Sequence, residues 1–313
     1  MKNLKKISLA LASALGSLAG FAQQDAMYTH YMYNTLAINP AYAGSRDALT
    51  VTALDRYQWV GFSGAPMTQT LTMHAPIEDQ HIGLGLSLLN DKIGPTNNTS
   101  LFADFSYIMQ VTEKSKLALG LSAGVNIFQA SLNTLQLDQQ SDPVFQTNIN
   151  NKVTPNIGFG AYYYMERFYI GVSVPGLIQN NLSAITQENG NTLIGVEQRN
   201  YYLIAGTVIN LSDNVALKPT ALLKVTQGAP AQADLTGCFI IMKKFLIGAM
   251  YRTGDAWGVL VGLDLTDQLH LGYSYDYSYG LSSSLYNSGS HEIMVRYDFL
   301  SIGKKQIHSP RYF

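Results

Sequence analysis

Residues 117–127 read LALGLSAGVNI, with Leu117, Leu119, Leu121, Ala123, Val125 and Ile127 in one register and Ala118, Gly120, Ser122, Gly124 and Asn126 in the other. A period of two places successive side chains on opposite faces of a strand. One face suits hydrocarbon and the other is small and polar. Ile82, Leu84, Leu86 and Leu88 alternate in the same way with Gly83, Gly85 and Ser87, and Trp257, Val259, Val261, Leu263 and Leu265 with Gly258, Gly262 and Asp264. Near the end, Ile293, Val295, Tyr297 and Phe299 alternate with Glu292, Arg296 and Asp298.

Outward from that stretch the chain divides into 14 strand-length segments: 48–58, 67–76, 81–90, 98–111, 116–129, 154–165, 167–174, 198–210, 214–225, 232–242, 244–252, 255–265, 267–277 and 289–300. Soluble antiparallel sheets also alternate, so the connections decide. Every second one is short and polar, as at Glu113-Lys114-Ser115, Glu166-Arg167 and Lys243-Lys244, whereas 91–97, 130–153, 175–197 and 278–288 are generally longer and rich in Asn, Gln, Ser, Thr and Gly. An even strand number with short turns at one rim and long loops at the other describes an all-β, transmembrane antiparallel β-barrel of the bacterial outer membrane. The expected layout is a signal peptide over 1–22, a periplasmic N-terminal segment over 23–47, the barrel over 48–300 and a periplasmic tail over 301–313.

The signal reading rests on basic Lys2, Lys5 and Lys6, an apolar run from Ile7 to Phe21 too short to span a bilayer, and the small pair Gly20 and Ala22 before the expected cut. Beyond it no run of 18 apolar residues occurs, which excludes a helical membrane protein. Charged residues are only 13% of the chain, about half the roughly 25% of soluble domains. Such a composition suits a wall facing lipid. A net charge of −1 offers no basic patch for nucleic acid, and the single Cys238 reads as a small strand residue.

Sites of chemistry are missing from the pattern. Gly61-Phe62-Ser63-Gly64 departs by one residue from a nucleophile elbow. His30, His74, His81, His270, His291 and His308 never fall at metal-ligand spacing, and Gly83-x-Gly85 and Gly158-x-Gly160 sit in period-two strands and not before helices. Those glycines are expected to thin the inner wall. No cofactor and no enzymatic activity are expected. The alternation turns Arg56, Asp104, Lys218, Lys224, Asp234, Asp264, Asp276, Arg296 and Asp298 inward, a mixed-sign set expected to form a lumen network. Tyr273, Tyr275, Tyr277 and Tyr279 stand outward as an interfacial girdle.

Three further stretches are distinctive: Asn39-Pro40-Ala41-Tyr42-Ala43-Gly44, then Arg56-x-Gln58-Trp59-x-Gly61, then Gly64-Ala65-Pro66-x-Thr68. In this order and spacing they resemble the start of the PorP/SprF family of type IX secretion and gliding-motility membrane proteins. The ending Ser309-Pro310-Arg311-Tyr312-Phe313 is similar to that family's ending. The resemblance implies a non-enzymatic outer-membrane partner of the secretion machinery, which supports secretion or surface anchoring of an adhesin-like cargo through the cargo's C-terminal domain, alongside other secretion or gliding components.

On the residues themselves, Asn39-Pro40 is a turn-forming pair, and Arg56 is placed to meet the N-terminal segment, with Tyr28, Tyr31 and Tyr33, in the barrel mouth. Two roles for that segment stay open: docking a partner, or closing the opening. Leu177, Ile178, Ile185 and Leu193 are candidate apolar anchors in a long loop expected to bury little apolar surface of its own. The alternative function is a porin-like solute channel, since a barrel of this width must be filled, plugged or wet.

Overall fold

The computed structural model describes residues 27–77, 81–135, 148–186, 190–279 and 288–299, with the backbone alone for 183–186 and 190–194. Its strands are β1 Leu49–Tyr57, β2 Met67–Ile77, β3 Ile82–Ile93, β4 Thr96–Thr112, β5 Ser115–Ala130, β6 Ile149–Met165, β7 Phe168–Val174, β8 Asn181–Thr186, β9 Gly190–Val196, β10 Asn200–Thr207, β11 Ile209–Asn210, β12 Val215–Thr226, β13 Gln232–Ile241, β14 Phe245–Arg252, β15 Ala256–Asp264, β16 Leu269–Ser278 and β17 Ser290–Phe299.

All but β8 and β9 join one 15-stranded sheet. Gly206 faces Thr220 in β10–β12, and Ile209 faces Leu217 in β11–β12, so the register does not change between them. The interruption lies opposite Pro219, which has no N–H to give the ladder. Counting β10 and β11 as one strand, the 15 become a barrel of 14. It closes where β1 meets β17, with Thr52 opposite Arg296 and Arg56 opposite Glu292.

Side chains follow the period along most of the wall, with breaks where β4–β5 and β5–β6 shift register. On β1 the buried positions are Thr50, Thr52, Leu54 and Arg56, while Leu49 and Tyr57 face outward. Leu84, Leu86, Leu121, Phe159, Val172, Leu235, Ile247, Val259 and Ile293 all stand exposed on the outer wall, which as a continuous band is the surface a bilayer covers. No described helix is long and apolar enough to cross a membrane.

Several boundaries differ from expectation. The 91–97 segment is not a loop: β3 runs to Ile93 and β4 starts at Thr96, around Gly94 at φ +55° and Pro95. Similarly β6 begins at Ile149, five residues before its expected start. At about 3.3 Å per residue and a tilt near 40°, the 17-residue strands β4 and β6 rise roughly 43 Å, well past an apolar band of about 25 Å. Above that band a strand needs no apolar face, so Asp91, Lys92 and Asn97 looked like loop. Cross-strand pairing holds them, with Lys92 opposite Asn97 and Asp91 opposite Asn98.

The 175–197 loop also differs. It contains the hairpin β8–β9, and buried Leu182 joins Phe128, Ala130, Leu132 and Ile149 in a small apolar cluster of its own. Met27–Asp47, expected on the periplasmic side, lies inside the lumen, its apolar side chains forming the main buried cluster with Tyr162, Tyr169, Leu222, Leu260 and Met294.

Candidate functional site

The lumen segment runs nearly the length of the barrel. Thr29 and His30 meet Glu292, the third residue of β17, close to the long-loop rim. Arg46 meets Asp298, next to last in the same strand, near the short-turn rim. Between them two single 3-10 turns, Thr35–Ala37 and Pro40–Tyr42, carry the chain across.

Asn39 caps the second turn: its Oδ1 accepts from Ala41 N at 3.0 Å. Its Nδ2 donates to the carbonyls of Ala161 and Val172 on the wall, at 3.1 and 3.4 Å. The sequence signal for this turn was sound, since proline is well suited to the first helical position after a side-chain cap. Ser173 Oγ donates to Ile38 O and Ser106 Oγ to Ala43 O, both at 2.6 Å. The wall glycines explain how the segment comes this close. A Cβ at Gly83 would strike Ala43 O, one at Gly120 would strike Ala41 N and Cα, and one at Gly160 would strike Asn39 Oδ1. Gly44 has a double reason to lack a side chain, with φ +70° and a Cβ position 2.5 Å from Gly83 Cα. Tyr42 fills the remaining space edge-on to His74 and Tyr162, at 5.1 and 5.4 Å between centroids.

Arg56, inward as the alternation predicts, sits at the centre of a buried ionic knot. Its Nη1 is 2.6 Å from Asp276 Oδ2 and 3.1 Å from Glu292 Oε2, and it donates to Thr29 Oγ1 at 2.9 Å. Glu292 also accepts from the backbone of Thr29 at 2.9 Å and of His30 at 2.7 Å. Alongside, Arg252 grips Asp234, with Nη2 to Oδ2 at 2.8 Å, and reaches Tyr28 O at 3.4 Å. Deeper, the Tyr33 ring lies beneath Lys218 Nζ at 4.2 Å and Arg296 Cζ at 5.1 Å, a cation–π arrangement inside a closed space. Tyr31 donates toward Thr236 Oγ1 and shares a 2.9 Å bond with Thr220 Oγ1.

The lumen network therefore exists, and it is larger than the alternation revealed: His30, Arg46, Arg252 and Glu292 belong to it. The Arg252–Asp234 pair had a usable signal, because a tight turn at 242–244 puts those two residues opposite each other in β13–β14. Asp264 is the inward candidate that does not sit deep, being 43% exposed beside His270 at the short-turn rim. Cys238 is buried on β13. Among the described residues no group of three or more His, Cys, Asp or Glu is placed to hold a metal.

At the long-loop rim, Gln58 N donates to Pro66 O at 2.9 Å and closes the β1–β2 connection. Trp59, at φ +47°, lays its indole across the neighbouring strands, with Nε1 donating to Ser278 Oγ at 3.2 Å and its own N donating to Ser290 Oγ at 3.2 Å. Gly61 follows at φ +96°. These residues pin the rim and do not touch Leu177 or Ile178 on the other side of the mouth. Leu177 is half-buried and its carbonyl accepts two bonds from Arg199, at 3.1 and 2.7 Å. Ile178 is exposed. Ile185 and Leu193 lie in the hairpin, opposite Asn191 and Ser183, with side chains outside the described residues, and Pro310, Arg311, Tyr312 and Phe313 lie outside them altogether.

Between the lumen segment and β3–β7 is a chamber of about 310 Å³. It is lined by Leu36, Ala37 and Pro40 of the segment, by Asp104, Asn126 and Asn156 of the wall, and by Ile93, Thr96 and Pro175 toward the long-loop rim.

Among solved structures the barrel is similar to the CymD monoaromatic hydrocarbon channel, with TM-score 0.50 and 13% identity, covering 86% of this chain and 93% of that one. A Pseudomonas aeruginosa FadL homologue gives 0.48 and 13%, covering 84% and 93%. The Acinetobacter baumannii outer membrane protein Omp33 gives 0.46 and 10%, covering 82% and 100%. At such identities the likeness concerns the fold. Among curated proteins none matches the chain. The family model for type IX secretion system membrane protein PorP/SprF matches residues 20–297, a span that takes in the lumen segment, the rim motif and nearly the whole barrel, and the chain belongs to that family.

Proposed function

We propose that this barrel is a non-enzymatic outer-membrane component of the type IX secretion and gliding machinery that holds a secreted, adhesin-like cargo at its long-loop face. Its short-turn rim, where β1 begins and β17 ends, then faces the periplasm and the other components. The observation that supports the reading best is the division of the molecule. The lumen is filled by residues 27–46 and locked by buried ion pairs, while the long-loop side carries a folded hairpin and an open chamber. A filled barrel serves as a rigid mount, and its loops are free to recognise a partner.

The test removes residues 177–195. Heat-modifiable gel migration reports whether the barrel still folds, and quantification of large protein on the cell surface reports retention. Loss of surface protein with an intact barrel is expected. Unchanged retention would transfer the role elsewhere, with the tail at Arg311–Phe313 the next candidate.

A further inference from the structure

The lumen carboxylates do not all face a cation. On β13, β16 and β17, Asp234, Asp276, Glu292 and Asp298 each have an arginine within ion-pair distance. Three carboxylates line the chamber, Asp91, Asp104 and Glu197; Asp91 accepts from Thr68 Oγ1 at 2.6 Å, while Asp104 and Glu197 have no cationic partner among the described residues. Asp104 is only 5% exposed, and its single hydrogen bond there comes from Ser87 Oγ to Oδ2 at 3.1 Å; its other oxygen accepts none. Glu197 is served by neutral donors alone: Asn126 at 3.1 Å, Thr154 at 3.2 Å and Asn180 at 2.8 Å. No lysine or arginine lines the chamber.

A carboxylate buried without a countercharge is costly, and a cation that enters beside it is strongly favoured. From these positions we infer that the chamber receives a basic side chain of an extended peptide segment, which enters from the long-loop rim and brings its charge down to Asp104. Leu36, Ala37 and Pro40 of the lumen segment line the chamber beside Asp104. Its volume of about 310 Å³ exceeds a simple amine and accommodates a long side chain with adjoining backbone. Phe102 and Phe128 supply apolar wall for the methylene stem, and the amides of Asn98 and Gln198 are suited to a peptide backbone. This rests on the reading that the long-loop face holds a secreted polypeptide, and it names the chemistry by which that polypeptide is gripped.

The experiment uses the full mature protein in detergent micelles and three fluorescent, end-blocked pentapeptides, Gly-Ser-X-Ser-Gly, with X as lysine, glutamine or glutamate. Anisotropy titration is expected to show the lysine peptide binding about ten-fold or more tighter than the glutamine peptide, with the glutamate peptide weakest. Asp104→Asn should abolish the preference, and Asp104→Lys should reverse it toward glutamate, both judged only in protein that passes the heat-modifiability check. Equal binding of the three peptides, no binding by any, or a lysine preference that survives Asp104→Asn would each overturn the socket. Binding of n-butylammonium without the lysine peptide would overturn it too, as the site would then hold a small cation. The loop deletion in cells is read separately: cargo retention lost on deleting 177–195, with no peptide preference in purified protein, would leave the holding function and remove the socket.

Discussion

His30 Nδ1 and Glu292 Oε1 meet at 2.7 Å although 262 positions separate them in the chain. Through this pair the first described turn of the lumen segment is joined to the last strand, so barrel closure and plug placement depend on each other. The β1–β17 seam crosses the same point, because Glu292 lies opposite Arg56.

Glu292→Ala should therefore be among the most damaging substitutions in the protein. It strips a partner from Arg56 and leaves the Thr29 and His30 amides without their acceptor. Breaking a buried pair from one side costs about 3–5 kcal/mol. Urea unfolding of protein refolded into lipid vesicles, followed by tryptophan fluorescence, measures the loss; a change below about 1 kcal/mol, the scale of exposed pairs, would mean that the knot is solvent-screened.

Gly160→Val separates the plug from its wall. A β-branched residue suits a strand, yet its Cβ would occupy the place of Asn39 Oδ1, and Asn39 makes three hydrogen bonds worth about 1 kcal/mol each. The expected outcome is a folded barrel, by circular dichroism and gel migration, whose lumen segment becomes sensitive to protease. Gly237→Val, where an added Cβ meets nothing within 4 Å, is the control and should remain resistant. Equal sensitivity in the two variants would show that Asn39 does not hold the segment.

The wall was legible in the sequence and much of its filling was not. Alternation is local, so LALGLSAGVNI alone reveals which side of β5 faces lipid, and a short turn such as 242–244 sets the pairing on both sides of it. Closure is not local. Nothing within either strand indicates that Arg56 faces Glu292, because the two meet only when β17 returns to β1. The glycines at 83 and 160 announced a thin inner wall, but not that Ala43 and Asn39 press against it. The β8–β9 hairpin was hidden for another reason: a strand beyond the bilayer, sampled by water, need not alternate, and Asn181-Leu182-Ser183-Ala184-Ile185-Thr186 carries too weak a period to declare itself.

Deleting residues 23–44 should convert a closed barrel into a conducting one. In the intact protein Tyr31, Met32, Tyr42 and Ala43 are buried in the lumen, and the same segment lines the chamber with Leu36, Ala37 and Pro40. Planar-bilayer recordings should show little steady current for the undeleted chain and stable stepwise currents for the deletion. Large, stable currents from the full chain would instead favour a solute channel.

The last prediction concerns orientation. Assembly of an outer-membrane barrel from the periplasm leaves short turns on that side and longer loops outside. Gln179 lies after β7 at the long-loop rim, and Lys243 lies in the β13–β14 turn at the opposite rim; both are exposed. The native thiol, Cys238, is only 2% exposed and should stay silent toward an impermeant maleimide, which makes the unaltered chain a clean background. On intact cells Gln179→Cys should label fully and Lys243→Cys should not. After permeabilisation of the outer membrane, Lys243→Cys should label as well, which shows that its thiol is reactive and that the first result reports access. Labelling of Lys243→Cys but not Gln179→Cys on intact cells would invert the barrel, place the chamber on the periplasmic side, and make its occupant a component of the machinery in place of a secreted cargo.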